Sequence, residues 1–207
     1  MKILVMGAGM MGWAAAFDMA RSSRVEAVTL ADSDAQRLDE AVARINKLTG
    51  NHKVTSMQVD AADTAAVLQL MRGHDSVLSA VPYFFNLELA KAAIEAGCHF
   101  ADLGGNNTVV KQEFALHDQA QAAGVAIAPD CGLSPGMASI LGGELLRRIG
   151  GKVLSPHPSS YIVELTSTEV EIGEFIANVA AFGQIVEVVR SGVLGISRAN
   201  PRLHAVK

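Results

Sequence analysis

A loop of six residues behind the first apolar run narrows the folds open to this chain more than anything else in it. Gly7-Ala8-Gly9-Met10-Met11-Gly12 directly follows Lys2-Ile3-Leu4-Val5-Met6, where a strand would end and a helix begin. In a G-x-G-x-x-G turn the first glycine allows the tight reversal, the second lets the backbone approach a diphosphate, and the third lets the helix lie close on the strand. The free N–H groups and positive dipole end of the helix then face the phosphates. A second strand-like run, Val25 to Ala31, ends in Asp32, twenty residues beyond Gly12, where a carboxylate that binds ribose hydroxyls is expected. The expectation is a dinucleotide site built from Gly7, Ala8, Gly9, Met10, Met11, Gly12 and Asp32. The competing reading is a glycine-rich strand–helix turn that holds nothing.

Bulk properties set the remaining bounds. The chain has 207 residues, half of them hydrophobic, enough for one α/β domain and a small second unit. Net charge is −4 and the 17 Lys and Arg residues form no cluster, which argues against a nucleic-acid surface. Cys98 and Cys131 lack metal-type spacing, no two histidines are placed as ligands, and no metal site is expected. Lys2 and the apolar residues to Phe17 could imitate a signal peptide, but three glycines at phosphate-loop spacing interrupt them, and Asp18 and Arg21 continue a helix. No uncharged stretch reaches the length of a membrane span. The expectation is a soluble, cytoplasmic protein.

Short apolar runs alternate with helical patterns along residues 1–150. Strands are expected at Lys2 to Met6, Val25 to Ala31, Val54 to Val59, Ser76 to Val81, Cys98 to Leu103 and Val125 to Ala128. Helices are expected at Met10 to Arg21, after a capping box of Ser33 and Gln36, after Asp63, from Leu87 to Ala96 behind an Asn86 cap, and from Thr108 to Ala123. Six such alternations imply a doubly wound parallel sheet with strand order 3-2-1-4-5-6. In such a sheet the carboxyl ends of the strands share one edge, where ligands bind.

That edge collects the remaining candidates. Asp32 favours NAD over NADP, because a carboxylate repels a 2′-phosphate and the next base, Arg37, is expected to face solvent. Asp60 and Ala61 are placed for the adenine side, and Ala80, Val81 and Pro82 for the nicotinamide side, although Pro82 also reads as a plain strand terminator. Tyr83, Asn86, Asp102, Asn106 and Asp130 are the polar groups nearest the reacting end. Gly132-Leu133-Ser134-Pro135-Gly136 matches the G-x-S-x-G of a serine nucleophile. The residue after that serine must donate an N–H to the oxyanion, and Pro135 has none, so Ser134 reads as a helix N-cap with Pro135 first in the helix. His74, His99 and His117 read as structural, and Trp13 and Phe17 as packing residues.

With these pieces in place, residues 1 to about 150 resemble the saccharopine dehydrogenase family, most closely its lysine 6-dehydrogenase-like branch. The resemblance is carried by Met1 to Met6 with GAGMMG, Val25 to Asp32, Gly73-His74-Asp75, Tyr83 to Asn86, Asp102-Leu103-Gly104-Gly105, and Pro129 to Met137 (PDCGLSPGM). It implies a Rossmann domain and NAD(P)-dependent oxidation of an amine on a small amino acid such as lysine. It also implies that the nicotinamide lies near Val81, Pro82 and Gly104. The proton acceptor is expected among Asp102, Asp130 and Tyr83, with the choice left open.

The resemblance stops near residue 150. It implies a larger substrate domain, whereas residues 151–207 read as a short tail: a linker from Ser155 to Ser160, one strand from Tyr161 to Leu165, one amphipathic helix from Glu169 to Ser191, and a loose end from Asn200. Three accounts stay open: a truncated or frame-altered relative, a compact relative that completes its site as a homodimer, or a dinucleotide-binding protein without turnover that acts as a redox sensor or interaction module.

Overall fold

Residues 1–137, 140, 141 and 144 are described by the computed structural model, together with the backbone of strands at 152–157, 160–164, 185–190, 192–197 and 200–206. The chain divides into two units, Met1–Cys131 and Gly132–Lys207. In the first, β1 (Lys2–Met6), β2 (Ala27–Asp32), β3 (Val54–Gln58), β4 (Ser76–Ser79), β5 (His99–Asp102) and β6 (Ile127–Ala128) form one sheet in the order β3-β2-β1-β4-β5-β6. Every pair in it is parallel. This is the doubly wound Rossmann architecture expected from the sequence.

Strand β1 shows why two layers of helix are needed. Successive side chains on a strand point to opposite faces. Ile3 and Val5 join one buried cluster with Val28, Leu30, Leu38 and Ile45. Leu4 and Met6 join the other with Val67, Met71, Val77 and Phe100. A strand buried on both faces reads as an unbroken apolar run, and burying one such Leu or Val contributes roughly 1.5–3 kcal/mol. On the first face lie α1 (Met10–Arg21) and α2 (Ala35–Thr49). On the second lie α3 (Thr64–Met71) and α4 (Asn86–Ala96), followed along the chain by α5 (Asn107–Phe114) and α6 (His117–Ala123). Helix α1 buries Gly12, Ala16 and Ala20, small residues four apart that let its axis sit close to the sheet.

Several local expectations are corrected. Asp34, not Ser33, caps α2 by accepting the Arg37 N–H at 3.0 Å, while Gln36 bonds Glu40 instead of closing a box. Asn86 lies inside α4, behind a 3₁₀ turn at Tyr83–Phe85, and its Oδ1 accepts the Ser79 hydroxyl at 2.7 Å. The segment 108–123 is two helices, and Asn106 caps the first by accepting from the N–H groups of Thr108 and Val109. An Asx acceptor two or three residues ahead of those donors satisfies groups that a helix start leaves free. Asp63 caps α3 as expected. His74 is structural: one ring nitrogen meets the Leu70 carbonyl and the other the Thr29 hydroxyl, both at 2.8 Å.

The second unit differs from the expected tail. It holds β7 (Lys152–His157), β8 (Ser160–Glu164), β9 (Ile185–Arg190), β10 (Gly192–Ser197) and β11 (Asn200–Val206) in the order β11-β10-β9-β8-β7. Strands β8 and β9 are parallel and the other pairs antiparallel. Residues 185–190 are thus strand where a helix was expected. Their apolar spacing suits either state, but Ile185, Val186, Val188 and Val189 are β-branched, which favours the pleated form. Residues 200–206 are strand as well, not a loose end, and β7 takes in part of the expected linker. Pro156 and Pro201 lie on the two edge strands, where a missing N–H breaks no ladder. The rest of the expected helix, 169–184, and most of the helix expected to follow Ser134 lie outside the described residues. Among the described residues no helix is long and apolar enough to cross a membrane.

Candidate functional site

The glycine loop leaves β1 at the switch point of the sheet, where β1 has β2 on one side and β4 on the other. Gly7 adopts φ +99°, and its N–H donates to the Ala31 carbonyl at 2.6 Å. A side chain on Gly7 would press against the Ala80 carbonyl at 2.8 Å. A Cβ on Gly12 would collide with the Gly7 carbonyl oxygen. These two glycines are required by the fold itself. Gly9 is different. It caps α1 at φ −67°, an angle open to any residue, and a Cβ there would meet no atom within 4 Å. Among the described residues nothing demands glycine at this position, and the space in front of the helix start is open. Met10 and Met11 are exposed beside it.

Asp32 ties this loop to the end of β2. Its Oδ2 accepts the Ala8 N–H at 2.7 Å and its Oδ1 accepts the Asp34 N–H at 3.0 Å. The side chain keeps 11% exposure, and the Arg37 guanidinium stands 3.7 Å from Oδ2 and 3.3 Å from Asp34. Arg37 is exposed, as the sequence suggested, and its guanidinium also lies beside the Asp32 and Asp34 carboxylates. It borders two cavities. One, of about 230 Å³, brings together Asp32, Asp60, Ala61, Val81 and Pro82, all named from sequence. The other, of about 650 Å³, lies against Ala8, Gly9, Met10, Trp13 and Arg44, with the Arg44 guanidinium 4.7 Å from the Trp13 ring centre. Ala80 lies beneath Gly7, its N–H donating to Met6 at 2.7 Å.

At the ends of β5 and β6 the other candidates gather. Asp102 is fully buried; its Oδ1 accepts the N–H groups of Gly104 at 2.5 Å and Asp130 at 3.3 Å. Asp130 adopts φ 60°, a left-handed backbone unusual for a side chain of this type. Its carboxyl packs directly on the Cα of Gly104, and Gly105 lies against the Tyr83 side chain. Asp102, Asp130 and Gly104 thus meet at the ends of β5 and β6, and Tyr83 lies against the next residue, Gly105. Asn86 and Asn106 are occupied by structural bonds. Burial raises the Asp130 carboxyl, the Asp102 charge raises it further, and a Gly105 N–H bond works against both. Burial and the charges of Asp102 and Asp130 likewise raise the half-exposed Cys131 thiol.

One residue escaped the sequence reading. Glu113 on α5 is 2% exposed and neighbours this acid pair. Its spacing from Val110 and Leu116, both buried, marks the inner face of the helix and was the available signal. Beyond the first unit, Leu133–Met137 forms one wide turn closed by the Met137 N–H on Gly132 at 2.9 Å. The turn starts before Ser134, so Pro135 is its third residue and not its first. Pro135 still lacks the N–H that a nucleophile elbow requires.

Comparison with known proteins gives two separate matches. A family described as "Saccharopine dehydrogenase NADP binding domain" matches residues 3–128, and one described as "Small subunit of acetolactate synthase" matches residues 143–199. The acetolactate synthase isozyme 3 small subunit of Escherichia coli is 40% identical over 50 residues, 24% of this chain and 31% of that protein. Apo saccharopine dehydrogenase (L-Glu forming) from Saccharomyces cerevisiae shares the fold with a TM-score of 0.58 at 22% identity, covering 79% of this chain and 34% of that one. GenD2 from gentamicin A biosynthesis, solved in complex with NAD, does so with a TM-score of 0.51 at 19% identity, over 79% of this chain and 43% of that one. The matches thus span about a third of the curated relative and of the yeast enzyme.

Proposed function

Because this chain belongs through residues 3–128 to the saccharopine dehydrogenase NADP-binding domain family, a dinucleotide-binding family of oxidoreductase type, we propose that it is an NAD-dependent dehydrogenase oxidising the amine of a small amino acid such as lysine. The observation that carries the nucleotide half of this reading is the empty space before Gly9, at a helix start whose other glycines are fixed by packing. Gly7 to Gly12 would hold the diphosphate, Asp32 the adenosine ribose, Asp60 and Ala61 the adenine side, and Val81, Pro82 and Gly104 the nicotinamide side. Bound there, the nicotinamide supplies the hydride acceptor. Of the acids named from sequence, Asp102 is fully buried and its Oδ1 is taken by backbone N–H groups, which leaves the partly buried Asp130 to hold the substrate ammonium and take the proton it must lose before hydride can leave the neighbouring carbon, with Tyr83 at the rim.

Two observations favour variants of this reading. Arg37 stands beside Asp32, where it could turn from the carboxylates to a 2′-phosphate, which favours NADP. The second unit matches an acetolactate synthase small subunit, not a substrate domain. That favours a nucleotide-binding unit joined to an association module, with a homodimer as its simplest product, in a cytoplasmic protein. One set of measurements separates these readings. The full chain is titrated with NADH and NADPH, then incubated with NAD or NADP and a panel of amino acids while reduced cofactor is followed by absorbance. Turnover with an amino acid supports the dehydrogenase. Binding without turnover, from a chain that light scattering shows to be dimeric, supports the association reading. No binding of either nucleotide overturns both.

A further inference from the structure

The acid cluster at the ends of β5 and β6 carries more carboxyl groups than its surroundings can keep charged. Among the described residues, Asp102 Oδ2, both oxygens of Glu113 and Asp130 Oδ1 are buried and meet no donor. Asp102 and Glu113 are 0% and 2% exposed. A buried carboxylate without a partner is strongly unfavourable, and two adjacent ones repel. We propose that Glu113 and Asp102 share one proton as a carboxyl–carboxylate pair, which makes Glu113 the residue that positions Asp102.

The geometry fits a proton and little else. The Asp102 charge acts directly on the Glu113 carboxyl, both groups are buried, and as anions neither has anything to donate. A single proton joins two of the four orphaned oxygens, one of Glu113 and Oδ2 of Asp102, in one bond, while Asp102 Oδ1 keeps its two backbone donors. The groups that act on Glu113 are the acids Asp102, on β5, and Asp130, at the end of β6. Helix α4, which packs on α5, buries only Asn86, Leu89, Ala90 and Ala93. Burial first, then the charges of the same acids, push the Cys131 thiol up, and His117, at the start of α6, borders a cavity with Glu113. Among the described residues no three His, Cys, Asp or Glu side chains are arranged to hold a metal ion. Burial, then the Asp102 charge and bond, then the Asp130 charge, raise Glu113 to about 8, so the proton stays at neutral pH.

A consequence for catalysis follows only if the amine dehydrogenase reading holds. Asp102 is then the ionised member of a buried pair that fixes the loops at the ends of β5 and β6, and the partly buried Asp130 is the acid left to meet the substrate ammonium.

The test compares the full chain with Glu113→Gln and Asp102→Asn. Infrared spectra at neutral pH should show the carbonyl stretch of a protonated carboxyl in the wild type. One group's worth of that band should vanish in Glu113→Gln, which keeps a donor toward Asp102, and in Asp102→Asn, whose amide can donate to an ionised Glu113. Urea stability of the wild type should fall between pH 5 and pH 8 with the slope of one proton, and Glu113→Gln should lose that slope. A wild type without the band, or a Glu113→Gln chain with the full band and the same slope, overturns the proposal. NADH affinity serves as a separate readout. A chain that shows the band and slope but ignores NADH refutes the nucleotide reading and leaves the shared proton standing.

Discussion

Gly9→Ala separates what the fold needs from what the ligand needs. The backbone angle at Gly9 is open to alanine and no atom lies within 4 Å of the new methyl. Alanine is a poorer N-cap than glycine, a loss of at most about 1 kcal/mol. It also restricts the unfolded chain, which returns roughly 0.4–1 kcal/mol at a compatible angle. The two nearly cancel, so the melting temperature should stay within a few degrees of wild type. Binding should respond very differently. The methyl stands where a diphosphate must approach, and pushing that group outward breaks one or two charge-assisted bonds from the helix start, each about 1.5–3 kcal/mol. At about 1.4 kcal/mol per factor of ten, NADH affinity should fall by roughly ten- to a hundredfold or more. Thermal melts by circular dichroism and NADH titration by calorimetry give both numbers. Unchanged affinity in a stable variant would mean that no phosphate rests at Gly9. A large fall in melting temperature would mean that the glycine is structural.

Gly12→Ala should show the opposite balance: its methyl collides with the Gly7 carbonyl, a backbone atom that cannot step aside. A loss of about 1–3 kcal/mol or more of stability is expected, together with lost nucleotide binding; an unchanged urea midpoint would refute the packing described here. Arg37→Ala removes the cation 3.7 Å from Asp32, so NADPH affinity should fall several-fold while NADH affinity holds, and parallel changes in both would exclude a role in 2′-phosphate binding. Stability should decline from pH 4.5 toward about 8, because the unfolded chain releases the Glu113 proton early while the folded chain retains it. The gap sets a ceiling of about 5 kcal/mol on this effect. Cys98, held up to about 11 by burial and the Asp75 charge, should add a second decline above its ordinary value of 9.0. A flat or rising urea midpoint across pH 5 to 9 would contradict these signs.

The first unit was legible because each strand carries its own signal. The apolar run Ile3 to Met6 is buried on both faces, and an alternation of strand and helix leaves one right-handed winding. Glycines with positive φ or close neighbours could be placed from spacing alone. Side-chain partners could not. Ser33 and Asp34 are both good caps, and only the bond from the Arg37 N–H decides between them. Asn86 resembled a cap, but the Ser79 hydroxyl, brought near by the end of β4, claims it. Glu113 was overlooked because a glutamate on a helix normally belongs to the solvent face. The second unit was misread because β-branched apolar residues at positions 185–190 satisfy helical spacing as well as strand alternation, and only pairing with β8 and β10 resolves the two.

The most direct measurement is nuclear magnetic resonance of the amide-labelled chain during NADH addition. The account requires that the N–H signals of Ala8 to Gly12 move saturably, with one equivalent bound, and that those of the Asp32 turn move with them. Saturable shifts confined to other residues, or none at a concentration where related domains are filled, would contradict it.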